Sequence, residues 1–311
     1  MADAARQVLD FLFARMQIDQ DWSVREPGAF TWWAGPLAQR VWAAPPRTVE
    51  DTSVTTVHIE TDLLAGVPAG ADTEARLAGV NRLATMSAYL GDLAEGRVRL
   101  HASVTVTDDN WPLARLLALH AMAIQVADAH AEAAPLAQVF GGTPDRSGHP
   151  GRGLREDRDE MLDVIEIYQQ RGEGRSPFGA AELAGLVHAE PRPWLSIANT
   201  PDAVQADLPF GNDRPSRLEL NAAARHPALG SGLHARLVIP VAPTPALVQR
   251  LNLAEREDPD AHQLGAWCLD EARGLTFASF VPTAAYSPNL AHALLYHMAA
   301  RNSWAAAVTG A

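Results

Sequence analysis

Apolar and polar positions repeat one order of elements twice along the chain. The runs GRVRLHASVTVTDDNWPLARLLALH and GLTFASFVPTAAYSPNLAHALLYH each predict a turn, an extended strand, a polar break with a proline, and an apolar helix. A register shift of 177 places equivalent residues of the two helices on one another, Leu117 on Leu294 and His120 on His297. The pattern therefore predicts two copies of one fold.

The repeat extends upstream of these runs. VTTVHIETDLL and GLHARLVIPV alternate like half-buried strands, and each precedes a helical segment and a hairpin with glycine at its turn. An apolar stripe predicts an opening helix at 3–18, and REDRDEMLDVIEIYQQRG predicts its counterpart, with an extra helix at 177–190. FTWWAGPLAQRVWA, PWLSIANTPDAVQADLPF and SRLELNAAA supply the remaining strands.

These elements predict an α+β fold of two tandem units. Each unit is an antiparallel sheet of about five strands with flanking helices, in the order α-β-β-β-α-β-β-α. Between the units lies GGTPDRSGHPGRG, where Gly, Pro and charge replace apolar periodicity. We therefore expect a first unit at 1–140, a flexible linker at 141–153 and a second unit at 154–311.

Charge and composition exclude several classes of function. The net charge is −12, whereas a nucleic-acid surface or a basic membrane-binding patch needs clustered positive charge. All 25 basic residues are arginine, so lysine-dependent chemistry is absent. Cys268 is the only cysteine, which rules out an internal disulfide and a cysteine-ligated zinc site, and its apolar setting predicts a buried strand residue.

The sequence also bears on location. The N-terminal segment carries Asp3 and Asp10 and has no uninterrupted apolar core, so it does not resemble a signal peptide. No stretch approaches the 18 apolar residues typical of a transmembrane helix. We expect a cytoplasmic protein.

The element order resembles that of the YbjN family and of the type III secretion chaperone-like fold. The residues that carry this resemblance are FTWWAGPLAQRVWA, the hairpins ending in LHASV and LTFASF, and the two closing helices. The resemblance implies an acidic binding protein that docks a segment of a partner, often as a dimer, without catalysis. Two fused units would mimic such a dimer in one chain.

Trp32, Trp33 and Trp42 are the candidate partner-binding residues. Adjacent residues of a strand point to opposite faces, so Trp32 and Trp33 cannot both enter the core of their own sheet. A bound partner would cover the outward ring, and tryptophan is enriched at binding hot spots. A neighbouring helix or the second unit is the alternative cover.

Histidines are the remaining candidates for chemistry. His58, Glu60 and Asp62 alternate on one strand face, in the manner of metal ligands, but a solvated strand face explains them better. His120 and His297 occupy the same position in both copies, which makes them the candidates for a contact between the units; the alternative, more common for a helix histidine, is a hydrogen bond near the edge of the core. We find no catalytic residues and expect neither a metal nor a cofactor.

These features favour a non-catalytic, cytoplasmic protein-binding module, chaperone-like or adaptor-like. Its partner would be another protein or a second copy of the chain, which is itself a monomeric pseudo-dimer or a homodimer. The alternative is an enzyme or small-ligand-binding protein with a site at the junction between the units.

Overall fold

The computed structural model describes residues 3–163, 178–189, 194–211, 214–227, 229–258, 264–285 and 288–310. Most of the second opening helix, expected in REDRDEMLDVIEIYQQRG, lies outside these described residues. The expected α+β fold with two antiparallel sheets is confirmed.

The helices and strands have the following bounds. The α-helices are α1 (Asp3–Arg15), α2 (Ala71–Val80), α3 (Trp111–Phe140), α4 (Ala180–Ala189), α5 (Pro245–Glu257) and α6 (Pro288–Thr309). The strands of the first sheet are β1 (Ser23–Glu26), β2 (Ala29–Trp33), β3 (Ala38–Ala43), β4 (Arg47–Val49), β5 (Thr52–Ala65), β6 (Ala88–Asp92), β7 (Arg97–Val106) and β8 (Thr143–Pro144). Those of the second sheet are β9 (Ser196–Asn199), β10 (Ala203–Phe210), β11 (Arg214–His226), β12 (Gly230–Val238), β13 (Ala266–Asp270) and β14 (Gly274–Pro282).

The two sheets have the same topology. The first runs β1-β2-β3-β5-β7-β6, with β4 and β8 paired to β5, and the second runs β9-β10-β11-β12-β14-β13. Six strands therefore correspond, one more than the five expected. The edge strand β1 is only four residues long and lacks an apolar alternation, which is why the pattern does not predict it. The run PWLSIANTPDAVQADLPF, predicted as one strand, contains both β9 and β10.

The chain divides into two compact units, and each unit includes a segment from the other repeat. The first unit consists of Met1–Arg76, Met86–Glu166 and Leu253–Leu264, and the second of Leu77–Thr85, Ile167–Asn252 and Gly265–Ala311. These bounds differ from the expected division at 1–140 and 154–311. The difference arises because the turn after α2, Asn81–Leu83, packs on β13 and β14, while Arg256 of α5 bonds to Glu60 of β5.

In the first unit, α1 and α3 pack on one face of the sheet. Proline in the first turn of α3 costs no hydrogen bond, and α3 ends at Gly141, whose φ of 79° is left-handed. In the second unit, α4 and α6 pack against β10, and α6 also packs against β12. Cys268 is buried in β13, as predicted.

Each closing helix buries a polar side chain at the same position of the repeat. Gln125 of α3 and Asn302 of α6 lie 177 positions apart. Gln125 bonds to Gln39 and Thr61, and Asn302 donates to the backbone oxygen of Pro209. Buried amides need such partners, so this pair ties each closing helix to its own sheet.

The Gly/Pro-rich segment 141–153 belongs to the first unit and does not lie free between the units. Its strand β8 pairs with the end of β5. Gly142 lies so close to this strand that an added Cβ would be 2.7 Å from the backbone oxygen of Ala65. Backbone pairing therefore orders a segment whose composition is typical of a flexible linker.

Candidate functional site

One surface of the first unit, beside the end of β2, contacts residues 147–155. Its side chains are Asp19, Asp21, Trp22 and Trp33, and the backbone oxygens of Ser23, Trp33 and Pro36 complete it. We call this surface the tryptophan groove. Residues 143–155 first pair with the end of β5 and then lie against this surface, and we call them the docked segment.

The backbone holds the first part of the docked segment. Thr143–Pro144 pairs antiparallel with Leu64 and Ala65 of β5. The Asp145 amide then donates to the Leu63 oxygen at 2.8 Å, and the Ser147 amide donates to the Pro36 oxygen at 3.3 Å. These bonds do not depend on side chains, so they hold the segment through its extended backbone.

Trp33 binds the middle of the docked segment. Its ring is only 4% exposed, and its Nε1 donates to the Ser147 backbone oxygen at 2.7 Å. The His149 ring lies edge-on to Trp33, with centroids 4.9 Å apart, and also meets Trp22 at 6.0 Å. The imidazole of His149 therefore packs against the indole rings of both Trp22 and Trp33.

Arginines anchor the last part of the docked segment. Arg155 is 5% exposed, and its Nη1 donates to the Trp33 oxygen at 2.6 Å and to Asp159 Oδ2 at 2.8 Å. Its guanidinium lies 5.3 Å from the centroid of the Trp22 ring. Arg152 pairs with Asp21 at 2.8 Å. A buried guanidinium is tolerated when its donors are satisfied in this way.

A cleft of about 490 Å³ adjoins the buried arginine. It is lined by Gln17, Asp19, Arg155, Asp157, Arg158, Asp159, Glu160 and Met161. Acidic residues outnumber basic ones on these walls, so the cleft has a negative charge balance.

The two adjacent tryptophans face opposite sides of the sheet, as the strand geometry predicts. Trp32 is fully buried towards α3 and donates from Nε1 to Gln39 Oε1 at 2.9 Å. Trp33 faces the docked segment, so the chain itself covers the outward ring. Trp42 is half-buried and stacks on His58, with centroids 4.9 Å apart. Partner binding at these residues stays a prediction.

On the face of β5 that carries His58, Glu60 and Asp62, each of these side chains contacts a partner side chain. His58 Nδ1 lies 3.2 Å from His101 Nε2. Glu60 bonds to Arg256 at 2.9 Å. Asp62 accepts from Arg99 at 2.9 Å. Among the described residues, no three potential ligands are grouped so as to hold a metal ion.

The electrostatics of this face keep His58 neutral. Burial, followed by the neighbouring His101 and the positive charge of Arg256, lowers the pKa of His58 to about 3. A neutral imidazole suits the short contact with His101, which a second positive charge would oppose.

The repeated helix histidines lie at different depths in their own units. His120 is half-buried on α3, and burial lowers its pKa. His297 is 1% exposed on α6, with its ring 5.6 Å from that of Phe277. A contact between His120 and His297 stays a prediction.

Sequence reasoning missed the docked segment, with His149 and Arg155, as part of a site. The one sequence signal for this contact is charge: the segment carries three arginines, and the loop after α1 carries Asp19 and Asp21. No local pattern joins the two, because they lie over 120 positions apart.

No family model, curated protein or solved structure matches the chain. Within the part of the chain that the structure describes, no helix combines the length and the apolarity needed to cross a membrane.

Proposed function

We propose that this protein is a non-catalytic, cytoplasmic protein-binding module whose tryptophan groove holds an extended, basic segment of another protein. One observation carries the proposal: the groove holds the chain's own docked segment through backbone bonds, two indoles and a buried arginine. A partner segment with the same chemistry would make the same contacts.

Charge supports a basic partner. The docked segment contains three arginines, one histidine and one aspartate: Arg146, Arg152, Arg155, His149 and Asp145. Asp19 and Asp21 pair with two of these arginines, at 3.7 Å and 2.8 Å. The net charge of −12 attracts the same kind of segment over longer distances.

The resemblance to the YbjN family and the type III secretion chaperone-like fold supports the same function, because it implies docking of partner segments without catalysis. The strand order is the same in both sheets, and the closing helix follows it in both repeats. The tryptophan groove lies in the first unit, so we assign binding to that unit.

The docked segment competes with any partner peptide for the tryptophan groove, and it is tethered to that groove by the chain. A tethered ligand has an effective concentration of about 1 mM or more, so a free peptide binds weakly to the wild type. Substituting His149→Ala together with Arg155→Gln weakens the internal ligand. A synthetic peptide of residues 143–155 is then expected to bind this double variant at least about 10-fold more tightly than it binds the wild type.

Fluorescence anisotropy of the labelled peptide measures both affinities in the full-length chain. The matched control is the same peptide with its arginines replaced by glutamate, which should bind neither protein. Adding Trp33→Ala to the double variant should abolish binding, and raising the salt concentration should weaken it. If circular dichroism shows the double variant folded and it still binds no peptide, the proposal is wrong.

A second copy of the chain is the other occupant that this experiment tests. If the double variant forms dimers in sedimentation and binds no added peptide, the docked segment serves self-association, and the proposed partner class is wrong.

A further inference from the structure

The second sheet carries a half-buried arginine with no acidic partner. Arg236 lies on β12, opposite Glu219 of β11 and Ala278 of β14. Glu219 is bonded to a different arginine, with Arg273 Nε 2.8 Å from Glu219 Oε2. Within the described residues, Arg236 makes no ion pair or hydrogen bond through its side chain.

The other carboxylate that acts on Arg236, Asp270, is also occupied. Asp270 pairs with Arg273 at 3.4 Å and accepts from the amides of Ala272 and Arg273. Burial and the charge of Arg273 lower the pKa of Arg236, which outweighs the opposing effect of Asp270 and Glu219. An arginine in this setting is costly unless an anion compensates it.

At the equivalent position of the first unit, the charged side chain has a partner of opposite charge. There Glu60 takes the place of Arg236, between Arg40 on one neighbouring strand and His101 on the other. Glu60 bonds to Arg256, which the second repeat contributes to the first unit. In the second unit, the basic Arg236 replaces the acidic Glu60, and Ala278 replaces His101 on the neighbouring strand. Directly opposite Arg236, β14 therefore has no side-chain acceptor.

Two further groups face the same region. His234 lies two residues before Arg236 on the same strand face, and its Nε2 is buried without a hydrogen-bond partner. Arg82 lies in a 3-10 turn, Asn81–Leu83, which packs on β13 within the second unit. Arg236 and Arg82 both lower the pKa of the Cys268 thiol. Burial and the charge of Asp270 outweigh them and raise this pKa to about 12.

We propose that Arg236 and His234 form an oxyanion-binding site on the face of the second sheet that carries Glu219 and Cys268, with Arg82 adding positive charge. Three arginines stand against two carboxylates in this region, a balance that fits one further negative charge: Arg236, Arg82 and Arg273 against Glu219 and Asp270. The planar guanidinium matches a carboxylate or a phosphate through paired hydrogen bonds. The ligand is therefore a small carboxylate or phosphate compound.

Thermal unfolding of the full-length protein tests this site. Sodium acetate and sodium phosphate are compared with sodium chloride at equal ionic strength, so that screening is the same in every sample. In the wild type, acetate or phosphate is expected to raise the melting temperature by at least about 2 °C at saturation. Arg236→Gln should abolish the increase and, in chloride, melt at or above the wild-type temperature.

Two further variants make the result specific. Arg217→Gln is the matched control, since Arg217 lies on the same face but pairs with Asp207 at 3.0 Å, and it should keep the full increase. Arg236→Lys should keep part of the increase, because it preserves the charge without the planar fork. An effect of acetate alone identifies a carboxylate ligand, and an effect of phosphate alone identifies a phosphate ligand.

An equal increase in the wild type and in Arg236→Gln would overturn the proposal, because the anions would then act elsewhere. The proposal is also overturned if neither anion differs from chloride in the wild type while Arg236→Gln melts at a lower temperature. Arg236 would in that case be a structural residue.

Discussion

Replacing Gln125 by methionine is expected to lower the free energy of unfolding by about 3 kcal/mol, because several buried polar groups lose their partner at once. The Gln125 amide is fully buried and forms four side-chain contacts, with Thr61, Gln39, Ser87 and the Ile59 oxygen. Methionine is close in volume, so the loss reports hydrogen bonds and not a cavity.

Chemical denaturation of the wild type and the variants measures this effect. Gln138→Met is the matched control on the same helix, where the side chain is exposed, and it should change the free energy by less than about 0.5 kcal/mol. Gln39→Met combined with Gln125→Met should cost less than the sum of the single changes, since both partners are then apolar. Strict additivity would show that the two amides do not stabilise one another.

Acid is expected to destabilise the first unit through His58. The pKa of this residue is 6.5 in an unfolded chain and about 3 in the folded protein, so the unfolded chain binds the proton more readily. The contribution to stability is complete above pH 6.5 and is lost as the pH falls from 6.5 towards 3. At pH 5 the loss is about 2 kcal/mol.

His58→Gln removes this titration and keeps a polar side chain beside His101. Denaturation between pH 5 and 8 should show parallel curves for the variant and the wild type above pH 7. Below pH 6 the wild type should lose stability more steeply, by about 1.4 kcal/mol per pH unit. Equal slopes over the whole range would mean that His58 is not held neutral by the fold.

The repeat could be predicted because its signal is local. Apolar spacing in a strand or helix depends on which face is covered, so one shift of 177 aligns the closing helices, with Leu117 on Leu294. The edge strand β1 lacks this signal, because its short polar sequence does not alternate. The edge strand β9 lies within a run predicted as a strand, but the pattern does not separate it from β10.

The candidate site could be predicted only in part. Strand geometry correctly required Trp32 and Trp33 to face opposite sides. What covers Trp33 depends on contacts with residues more than 100 positions away, and the composition of that segment is typical of a linker. The pairing of Glu60 with Arg256 is equally non-local, since it depends on a segment that one repeat contributes to the other unit.

Hydrogen exchange in the docked segment most directly tests whether a partner peptide and this segment share one groove. The amides of Asp145 and Ser147 donate to Leu63 and Pro36 only while the segment is docked. With the 143–155 peptide in excess, both amides of the protein should exchange faster, while the Ala43 amide, bonded to Gly28, keeps its rate. If the peptide binds and the Asp145 and Ser147 amides stay protected, it binds elsewhere and the account is wrong.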